Sequence, residues 1–305
     1  MEQAKKIWMD GRLVDWADAK VHFISNSLQY GFSVFEGIRA YPTNAGPAVF
    51  RLDAHIERLF NSAKIIGLDI PYERAAVIEA CCATVRANEF DKCYIRPVAY
   101  IGYGGMGLDY RECKVNLSIA VWFWGEYLGE GKLEKGIRIK TSSYTRHHIN
   151  ANMTKAKAGG NYMLFQMART EALRQGYDEA LLLDPQGHVA EGSVENIFLV
   201  RAGELVTPPL TYILEGITRD SIIRLAKAEG LTVREELFSR DSVYVADEVF
   251  FVGTGAEVTP VVSVDDRDIA HGKPGAITRR LQKLYFETVH GRNPAFAKWL
   301  TPVRA

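Results

Sequence analysis

A lysine surrounded by small residues is the most informative chemical feature of this sequence. Lys157 is followed by Ala158-Gly159-Gly160 and Asn161-Tyr162, and Lys155 precedes it. Small neighbours let the backbone and a bound molecule approach a lysine closely, and they leave its amine room to move. A lysine amine can form an imine with a carbonyl compound. Taken alone, either lysine is more simply a solvated residue ahead of a helix, so its chemistry depends on the rest of the chain.

Other motifs that carry chemistry are incomplete. Gly102–Gly107 (GYGGMG) fits the G-x-G-x-x-G spacing of a dinucleotide-binding loop. That fingerprint also needs a helix that begins at the glycines and holds the pyrophosphate, whereas here residues 108–113 lead into another strand. We therefore expect a glycine-rich loop that borders a pocket, with a nicotinamide oxidoreductase as the alternative. His147-His148 is the only histidine cluster and lacks zinc-type spacing, so no metal site is expected.

Six ordered motifs resemble those of the fold-type IV pyridoxal-phosphate (PLP) aminotransferases, and specifically the branched-chain amino acid aminotransferases. They cover nearly the whole chain and are together far more specific than any one of them. The motifs are Tyr30-Gly31 with Phe35–Arg39, Tyr94–Pro97, Lys157–Tyr162, Glu191-Gly192 with Glu195-Asn196, Gly216–Asp220, and Gly253-Thr254. The resemblance implies a two-lobed α+β fold, like that of D-amino acid aminotransferase, with the active site between the domains.

The resemblance also implies how PLP is held. Lys157 would form the Schiff base and move the substrate proton, with Lys155 as the rival lysine. Glu191 would keep the pyridine nitrogen protonated, and Tyr162 would meet the phenolic O3′. The phosphate contacts would come from Arg58, Ile217, Thr218 and Thr254. Thr218 is expected where a helix begins, and helix N-termini bind anions. Arg58 by itself would be a solvated helix arginine, so its role depends on the resemblance.

Substrate recognition is implied to involve a glycine that leaves space and a set of aromatic residues. These residues are Gly37, Tyr30, Phe35, Trp124 and Tyr127. Tyr94 and the backbone at Thr254-Gly255 would hold the α-carboxylate, and Arg96 would meet the distal carboxylate of glutamate or 2-oxoglutarate. Leu108 would reach the pocket of a neighbouring subunit, so a homodimer is the smallest expected assembly, and a trimer of dimers is a further one.

The implied reaction is the reversible transfer of an amino group from L-leucine, L-isoleucine or L-valine to 2-oxoglutarate by a ping-pong mechanism. The products are the branched-chain 2-oxo acid and L-glutamate. D-amino acid aminotransferase, R-selective amine transaminase and aminodeoxychorismate lyase are alternatives with the same cofactor. Tyr94–Pro97 and Phe35–Arg39 favour the branched-chain reaction, and a non-catalytic protein of this fold would be expected to lack Lys157 or Glu191. The family usually has Gly at Val194 and Ala at Gly255, which puts fine substrate preference in doubt.

Composition agrees with an enzyme that acts on small molecules. The chain has 305 residues, 37 Lys+Arg against 37 Asp+Glu, and 47% hydrophobic residues. Balanced charge argues against a nucleic-acid partner or a membrane surface. The longest uncharged stretch, residues 21–35, is too short and polar to span a bilayer. The four cysteines lack C-x-x-C spacing and are expected to be reduced thiols, so a cytoplasmic location is expected.

The elements that position these residues can be read from periodicity and turn residues. Asp10-Gly11 predicts a tight hairpin turn, Asp53 an N-cap, Gly67 a helix end, and Pro71 the start of a second helix. Residues 125–136 are rich in glycine and charge and predict a connector. We therefore expect a small N-terminal α/β domain at 1–122, an interdomain loop at 123–136, and a large PLP-binding domain at 137–305.

Overall fold

Residues 4–303 are described by a computed structural model, in which the chain forms two compact units. The first unit contains the chain up to Trp124, the segment Ala156–Asn161 and the chain from Thr288 onward. The second unit contains Gly125–Lys155 and Tyr162–Glu287. The domain boundaries predicted above would have assigned both of the later segments of the first unit to the C-terminal domain.

The first unit is built on an eight-stranded sheet. In chain order its elements are β1 (Lys6–Met9), β2 (Arg12–Asp15), α1 (Asn26–Tyr30), β3 (Ser33–Phe35), β4 (Ile38–Thr43), β5 (Gly46–Phe50), α2 (Leu52–Ile66), α3 (Arg74–Asn88), β6 (Cys93–Ile101), β7 (Val115–Trp122) and β17 (Leu300–Pro302). The sheet order is β17-β5-β4-β6-β7-β1-β2, with β3 paired to β6. Strands β6 and β7 alternate between buried and partly exposed residues, as expected when one sheet face covers a core.

Two pairings bring the later segments of the chain into the first unit. An isolated bridge joins Val34 to Ala158, and the Phe35 N–H donates to the Lys157 carbonyl at 3.1 Å. Strand β17 pairs antiparallel with β5. These are backbone contacts between residues far apart in sequence, so composition along the chain gives no sign of them.

Two turn predictions are confirmed in the first unit. Asp10 and Gly11 both have positive φ, 46° and 96°, and join β1 to β2 as a two-residue hairpin turn. Gly67 ends α2 with φ 79°, a left-handed conformation that glycine adopts without a Cβ penalty. The buried side of α2 includes the predicted Ile56 and Leu59.

Two predicted helix starts are wrong. Helix α2 begins at Leu52, so Asp53 lies in its first turn, where a carboxylate still interacts favourably with the helix dipole. Helix α3 begins at Arg74, after Glu73 at the N-cap, and not at Pro71. In both cases the residue type indicated the right region and the wrong position.

The second unit is built on a nine-stranded mixed sheet. Its elements are α4 (Lys132–Lys135), β8 (Ile137–Thr145), α5 (Tyr162–Arg174), β9 (Glu179–Leu183), β10 (Val189–Gly192), β11 (Asn196–Arg201), β12 (Glu204–Thr207), α6 (Ile217–Ala228), β13 (Val233–Glu235), α7 (Arg240–Tyr244), β14 (Glu248–Gly253), β15 (Glu257–Val264), β16 (Arg267–Asp268) and α8 (Ala276–Val289). The order is β10-β9-β8-β15-β14-β11-β12-β13, with β16 on β15. An additional pairing of Glu191 with Asn196 joins β10 to β11 and closes six strands into a ring. Parallel and antiparallel pairs occur together, and the α+β class is confirmed.

The glycine-rich loop has the form expected from the sequence. Strand β6 ends at Ile101 and β7 begins at Val115, and no helix begins at Gly102–Gly107. A pyrophosphate therefore has no helix N-terminus to meet at this loop, and the dinucleotide alternative is excluded.

Several broad features of residues 4–303 limit the chemistry. No helix in this part of the chain has the length and apolar character to cross a bilayer. The same residues contain no group of three His, Cys, Asp or Glu side chains that could hold a metal ion. Cys81, Cys82, Cys93 and Cys113 are buried and form no disulfide, and burial raises the pKa of the Cys93 thiol to about 12.

Candidate active site

Lys157 is held in the first unit through its backbone. Its carbonyl accepts from the Phe35 N–H on β3, and its own N–H donates to Ser62 Oγ on α2 at 3.0 Å. The side-chain Nζ lies 5.1 Å from the centroid of the Phe35 ring. The position of the amine is therefore set by a strand and a helix that both belong to the core of this unit.

The electrostatic surroundings of Lys157 favour the neutral amine. Its pKa is lowered to about 8, first by burial and then by the positive charge of Arg58, while Glu36 acts in the opposite direction. A group with this pKa is neutral in roughly a tenth of the molecules at pH 7. The neutral amine is the form that attacks a carbonyl carbon, so Lys157 is suited to imine chemistry.

The rival lysine has different surroundings. Lys155 is half exposed and forms an ion pair with Glu215 at 2.8 Å. Such a pairing is ordinary surface chemistry and favours the charged ammonium. The geometry therefore favours Lys157 over Lys155 as the reactive amine.

A buried carboxylate fixes Arg58. Glu36 is fully buried, and its oxygens accept from Arg58 Nε at 2.7 Å and Arg58 Nη2 at 2.8 Å. His55 Nδ1 lies 2.7 Å from Glu36 Oε2. Burial alone would raise the pKa of Glu36, but Arg58 and His55 outweigh it and hold that pKa well below its usual range. Arg58 is thus a buried, paired cation and not the solvated helix arginine that the sequence alone would suggest.

His55 is the uncharged member of this cluster. Burial lowers its pKa, although Glu36 opposes the shift. A neutral imidazole can donate from only one nitrogen, and a carboxylate only accepts, so Nδ1–H must be the donor to Glu36. The cluster therefore holds one anion and one cation, Glu36 and Arg58, with His55 as a neutral donor.

Gly37 makes room for a protein side chain. A Cβ placed on Gly37 would lie 1.8 Å from the Tyr94 hydroxyl and 2.7 Å from Tyr94 Cζ. No larger residue fits at position 37 while Tyr94 keeps this place. The space expected above Gly37 is therefore occupied by the Tyr94 phenol.

Arg96 lies among aromatic rings on the same sheet. Its guanidinium carbon is 4.5 Å from the Phe35 ring centroid, 5.3 Å from that of Tyr94 and 5.7 Å from that of Trp122. Trp124 packs edge-on against Tyr94 at 4.6 Å. Arg96 Nη2 donates to the Tyr94 hydroxyl at 3.3 Å, whereas Arg96 Nε is buried and has no hydrogen-bond partner among the described residues. Buried guanidinium N–H groups normally have partners, so this donor is suited to an acidic ligand.

Glu191 lies in the second unit as a buried, paired anion. Its Oε1 accepts from Arg146 Nε at 2.6 Å, and its Oε2 accepts from Asn196 Nδ2 at 3.1 Å and the Leu214 N–H at 3.2 Å. Arg146 is itself buried and lies 4.8 Å from the centroid of the Phe165 ring. A carboxylate with a charged partner and two further donors stays ionised, which is the state needed to stabilise a neighbouring cation.

The N-terminus of α6 lies close to the Glu191 network. A Cβ on Gly216, the N-cap of α6, would meet Asn196 Oδ1 at 1.8 Å, so the two are in tight contact. Ile217 and Thr218 open this helix and are buried. The first N–H groups of a helix have no intrahelical partner and attract anions, so this end of α6 is suited to a phosphate.

Thr254 and Gly255 follow β14 in the same unit. A Cβ on Gly255 would lie 3.4 Å from Tyr127 Cγ, an ordinary contact distance. Tyr127 is half-buried and therefore lies beside this turn. Tyr162 opens α5, and its ring packs edge-on against Phe165 at 5.1 Å.

Three of the singled-out apolar residues lie at the surface. Leu108 is 85% exposed, Tyr30 46% and Val194 38%. Leu108 and Tyr30 belong to the first unit, and Val194 belongs to the second. An apolar side chain as exposed as Leu108 is common at sites of association.

Comparison with known proteins identifies the family. The family model of class IV aminotransferases (Amino-transferase class IV) matches residues 33–264. The chain belongs to this family. Its sequence is 50% identical to the branched-chain-amino-acid aminotransferase of Pseudomonas aeruginosa over 298 residues, which is 98% of this chain and 97% of the relative. It is 45% identical to that of Escherichia coli K12 over 304 residues, 99% and 98% of the two chains.

Solved structures agree with this membership. A branched-chain aminotransferase of the archaeon Thermoproteus uzoniensis with norvaline superposes with a TM-score of 0.94 at 47% identity, covering 99% of this aminotransferase and all of that chain. A branched-chain amino acid aminotransferase with pyridoxamine 5′-phosphate, from the source abbreviated T.th., gives a TM-score of 0.97 at 46% identity over 100% of both chains. The family resemblance carried by the six motifs is confirmed.

Three residues of this aminotransferase, Glu36, His55 and Arg146, were not singled out from its sequence. Glu36 lies inside the Phe35–Arg39 motif but received no role, because its partners His55 and Arg58 are distant in sequence. Arg146 adjoins the histidine pair, which was judged only as a metal site. A charged residue within a family motif is the signal that would have found Glu36, whereas His55 and Arg146 carry no such signal.

Proposed function

We propose that this protein is a PLP-dependent branched-chain amino acid aminotransferase. It transfers the amino group of L-leucine, L-isoleucine or L-valine to 2-oxoglutarate. The observation that carries the proposal is the first unit's set of aromatic rings around Arg96, whose buried Nε lacks a partner in residues 4–303. The relatives reported above also bear the branched-chain name, which favours this reaction over the D-amino acid and R-selective amine reactions.

The side chains described above fit PLP in type and charge. When bound, PLP withdraws electrons from the substrate Cα through its protonated pyridine ring. Glu191, kept anionic by Arg146, would hold the proton on the pyridine nitrogen, and Tyr162 would meet the phenolic O3′. Lys157 would hold the cofactor carbonyl and move the proton at the substrate Cα. The phosphate would be bound by Arg58, Ile217, Thr218 and Thr254.

The first-unit aromatics explain how one enzyme accepts two kinds of substrate. Phe35, Tyr94 and Trp124 present apolar surface suited to a branched side chain. The distal carboxylate of glutamate cannot be buried against such rings without a partner. Arg96 would supply that partner through its unpaired Nε and its planar fork. Tyr94 and the backbone at Thr254-Gly255 would hold the α-carboxylate.

Surface chemistry supports a homodimer as the working unit. Helix α1 and the loop at 102–108 are neighbours, because Asn26 Nδ2 donates to the Gly107 carbonyl at 3.0 Å. Together these segments expose large apolar side chains: Leu28, Tyr30, Tyr103, Met106 and Leu108. We propose that a second copy of the chain covers them and that Leu108 reaches the partner's pocket. Sedimentation of Leu28→Glu should then show monomers where the native protein shows at least dimers, and an unchanged mass would contradict the interface.

The test of the function is a substrate panel joined to an absorption spectrum. The purified protein should absorb visible light because of bound PLP, and this absorbance should shift on addition of each branched-chain L-amino acid. D-alanine and (R)-1-phenylethylamine serve as controls and should react far more slowly. A colourless folded protein would contradict the cofactor, and faster reaction with either control would contradict the substrate class. The reduced thiols and balanced charge also support a cytoplasmic location, which fractionation of the source cells would test.

A further inference from the structure

Arg169 on α5 connects a buried acid to an aromatic ring. Its guanidinium carbon lies 4.2 Å from the centroid of the Tyr127 ring, and its Nε lies 3.5 Å from Glu179 Oε2. The Glu179 side chain is fully buried and that of Arg169 is only 22% exposed. A cation over an aromatic face is more strongly attracted when it is partly removed from water. The guanidinium is thus held between an ion pair and a ring.

A second buried acid strengthens the attachment of Arg169 to the core. Glu195 is 2% exposed and Glu179 is 0% exposed. Burial raises the pKa of both carboxyls, and Glu179 raises that of Glu195 further, while the charge of Arg169 opposes both shifts. Two acids in so little water keep a nearby cation in place more firmly than one exposed acid would. Arg169 is therefore a fixed point against which Tyr127 packs.

Tyr127 lies in a segment without regular structure. This stretch runs between β7 and α4 and contains Gly125, Gly129 and Gly131. The Tyr127 ring lies beside Gly255, where the Ala usual in the family would add a methyl 3.4 Å from Tyr127 Cγ. Because neither a helix nor a strand fixes the backbone that carries this ring, contacts of the ring itself have more influence on its position.

We propose that Arg169 is a positioning residue, which holds the Tyr127 ring beside the Thr254-Gly255 turn and thereby sets the discrimination among substrate side chains. The placement of the ring stands on the contacts above. The effect on substrates rests on the proposed function, in which Tyr127 contacts the substrate side chain. Arg169 itself touches neither cofactor nor substrate in this scheme.

A double-mutant cycle on the holoenzyme tests the proposal. Arg169→Gln and Tyr127→Ala should each raise KM for leucine about tenfold with little change in kcat, and the double variant should be no worse than Tyr127→Ala. Arg169→Lys, which keeps the charge for Glu179 but loses the planar stack, should show a smaller rise. Arg174→Gln is the matched control on the same helix and should behave as the native enzyme. Additive losses in the double variant, or a fall in kcat alone, would overturn the positioning role.

A conformational measurement separates this proposal from the proposed function. Trypsin should cleave after Lys132 and Lys135 several times faster in Arg169→Gln than in Arg174→Gln, because the neighbouring stretch is no longer held. Equal cleavage rates would overturn the placement of Tyr127 by Arg169. Faster cleavage with unchanged KM for every substrate would instead overturn the role of Tyr127 in substrate binding. A native enzyme without activity toward leucine would contradict the proposed function while leaving the cleavage test intact.

Discussion

Replacing Glu36 by Gln should destabilise the protein far more than its small change in volume suggests. The carboxylate is fully buried and accepts from both Arg58 nitrogens and from His55, at 2.7–2.8 Å. Gln keeps the shape but leaves the Arg58 cation without its counter-charge. Removal of one member of a buried pair costs about 3–5 kcal/mol. We therefore expect Glu36→Gln to lower the free energy of unfolding by that amount at pH 7.

Urea unfolding with a matched control measures this loss. Glu57 lies on the same helix and pairs with Arg74 at 3.8 Å, but both side chains are more than half exposed. Glu57→Gln should cost less than about 1 kcal/mol. Both variants should be compared at one protein concentration, because assembly adds to apparent stability. A loss in Glu36→Gln that matches the loss in Glu57→Gln would refute the reasoning.

The pH dependence of the difference provides a second check. The folded pKa of Glu36 is held below its ordinary value of 4.5, so its stabilising contribution is present above that pH and is lost as the pH falls. The gap in unfolding free energy between native protein and Glu36→Gln should narrow by about 1.4 kcal/mol for each pH unit below this value. A gap that stays constant down to about pH 3 would show that charge is not the cause.

Three further predictions concern the chemistry of the site. Borohydride reduction of the holoenzyme should attach the cofactor to Lys157, and peptide mass analysis that finds it on Lys155 would contradict the assignment. Glu191→Gln should retain PLP but slow the leucine half-reaction at least about 100-fold in single-turnover absorbance, because the pyridine nitrogen loses its counter-charge; near-native rates would refute this role. Arg96→Leu should slow the glutamate half-reaction about 100-fold or more and the leucine half-reaction far less, since two charge-assisted hydrogen bonds serve glutamate alone; equal losses would rule out dual recognition.

Local features of the fold were the most predictable from sequence. The Asp10-Gly11 turn and the helix end at Gly67 depend on backbone conformations that few residues adopt, so residue type and position agree there. Helix starts were less predictable, because Asp53 is nearly as favourable in the first turn as at the N-cap. The ring closure at Glu191 and Asn196 depends on pairing between strands, which no local pattern specifies.

The candidate site was predictable as a set of residues but not as a network. The motif around Lys157 indicated the reactive amine, since small residues and their order are local facts. The partners that tune the site are distant in sequence: Glu36 meets Arg58 across 22 residues, and Arg146 meets Glu191 across 45. The choice of partner is made by packing, and so Glu36 and Arg146 became visible only in the folded chain.

The overlap at Gly37 limits how this enzyme can be redesigned. A methyl at position 37 would come within 1.8 Å of the Tyr94 hydroxyl and 2.7 Å of Cζ, so even Phe at position 94 would collide with it. Single-site libraries at position 37 should therefore consist almost wholly of inactive clones. Useful diversity requires both codons to change together, with a residue shorter than Phe at position 94. A library built on that pairing would explore pocket shapes that stepwise mutation cannot reach, because every path through position 37 alone passes through a clash.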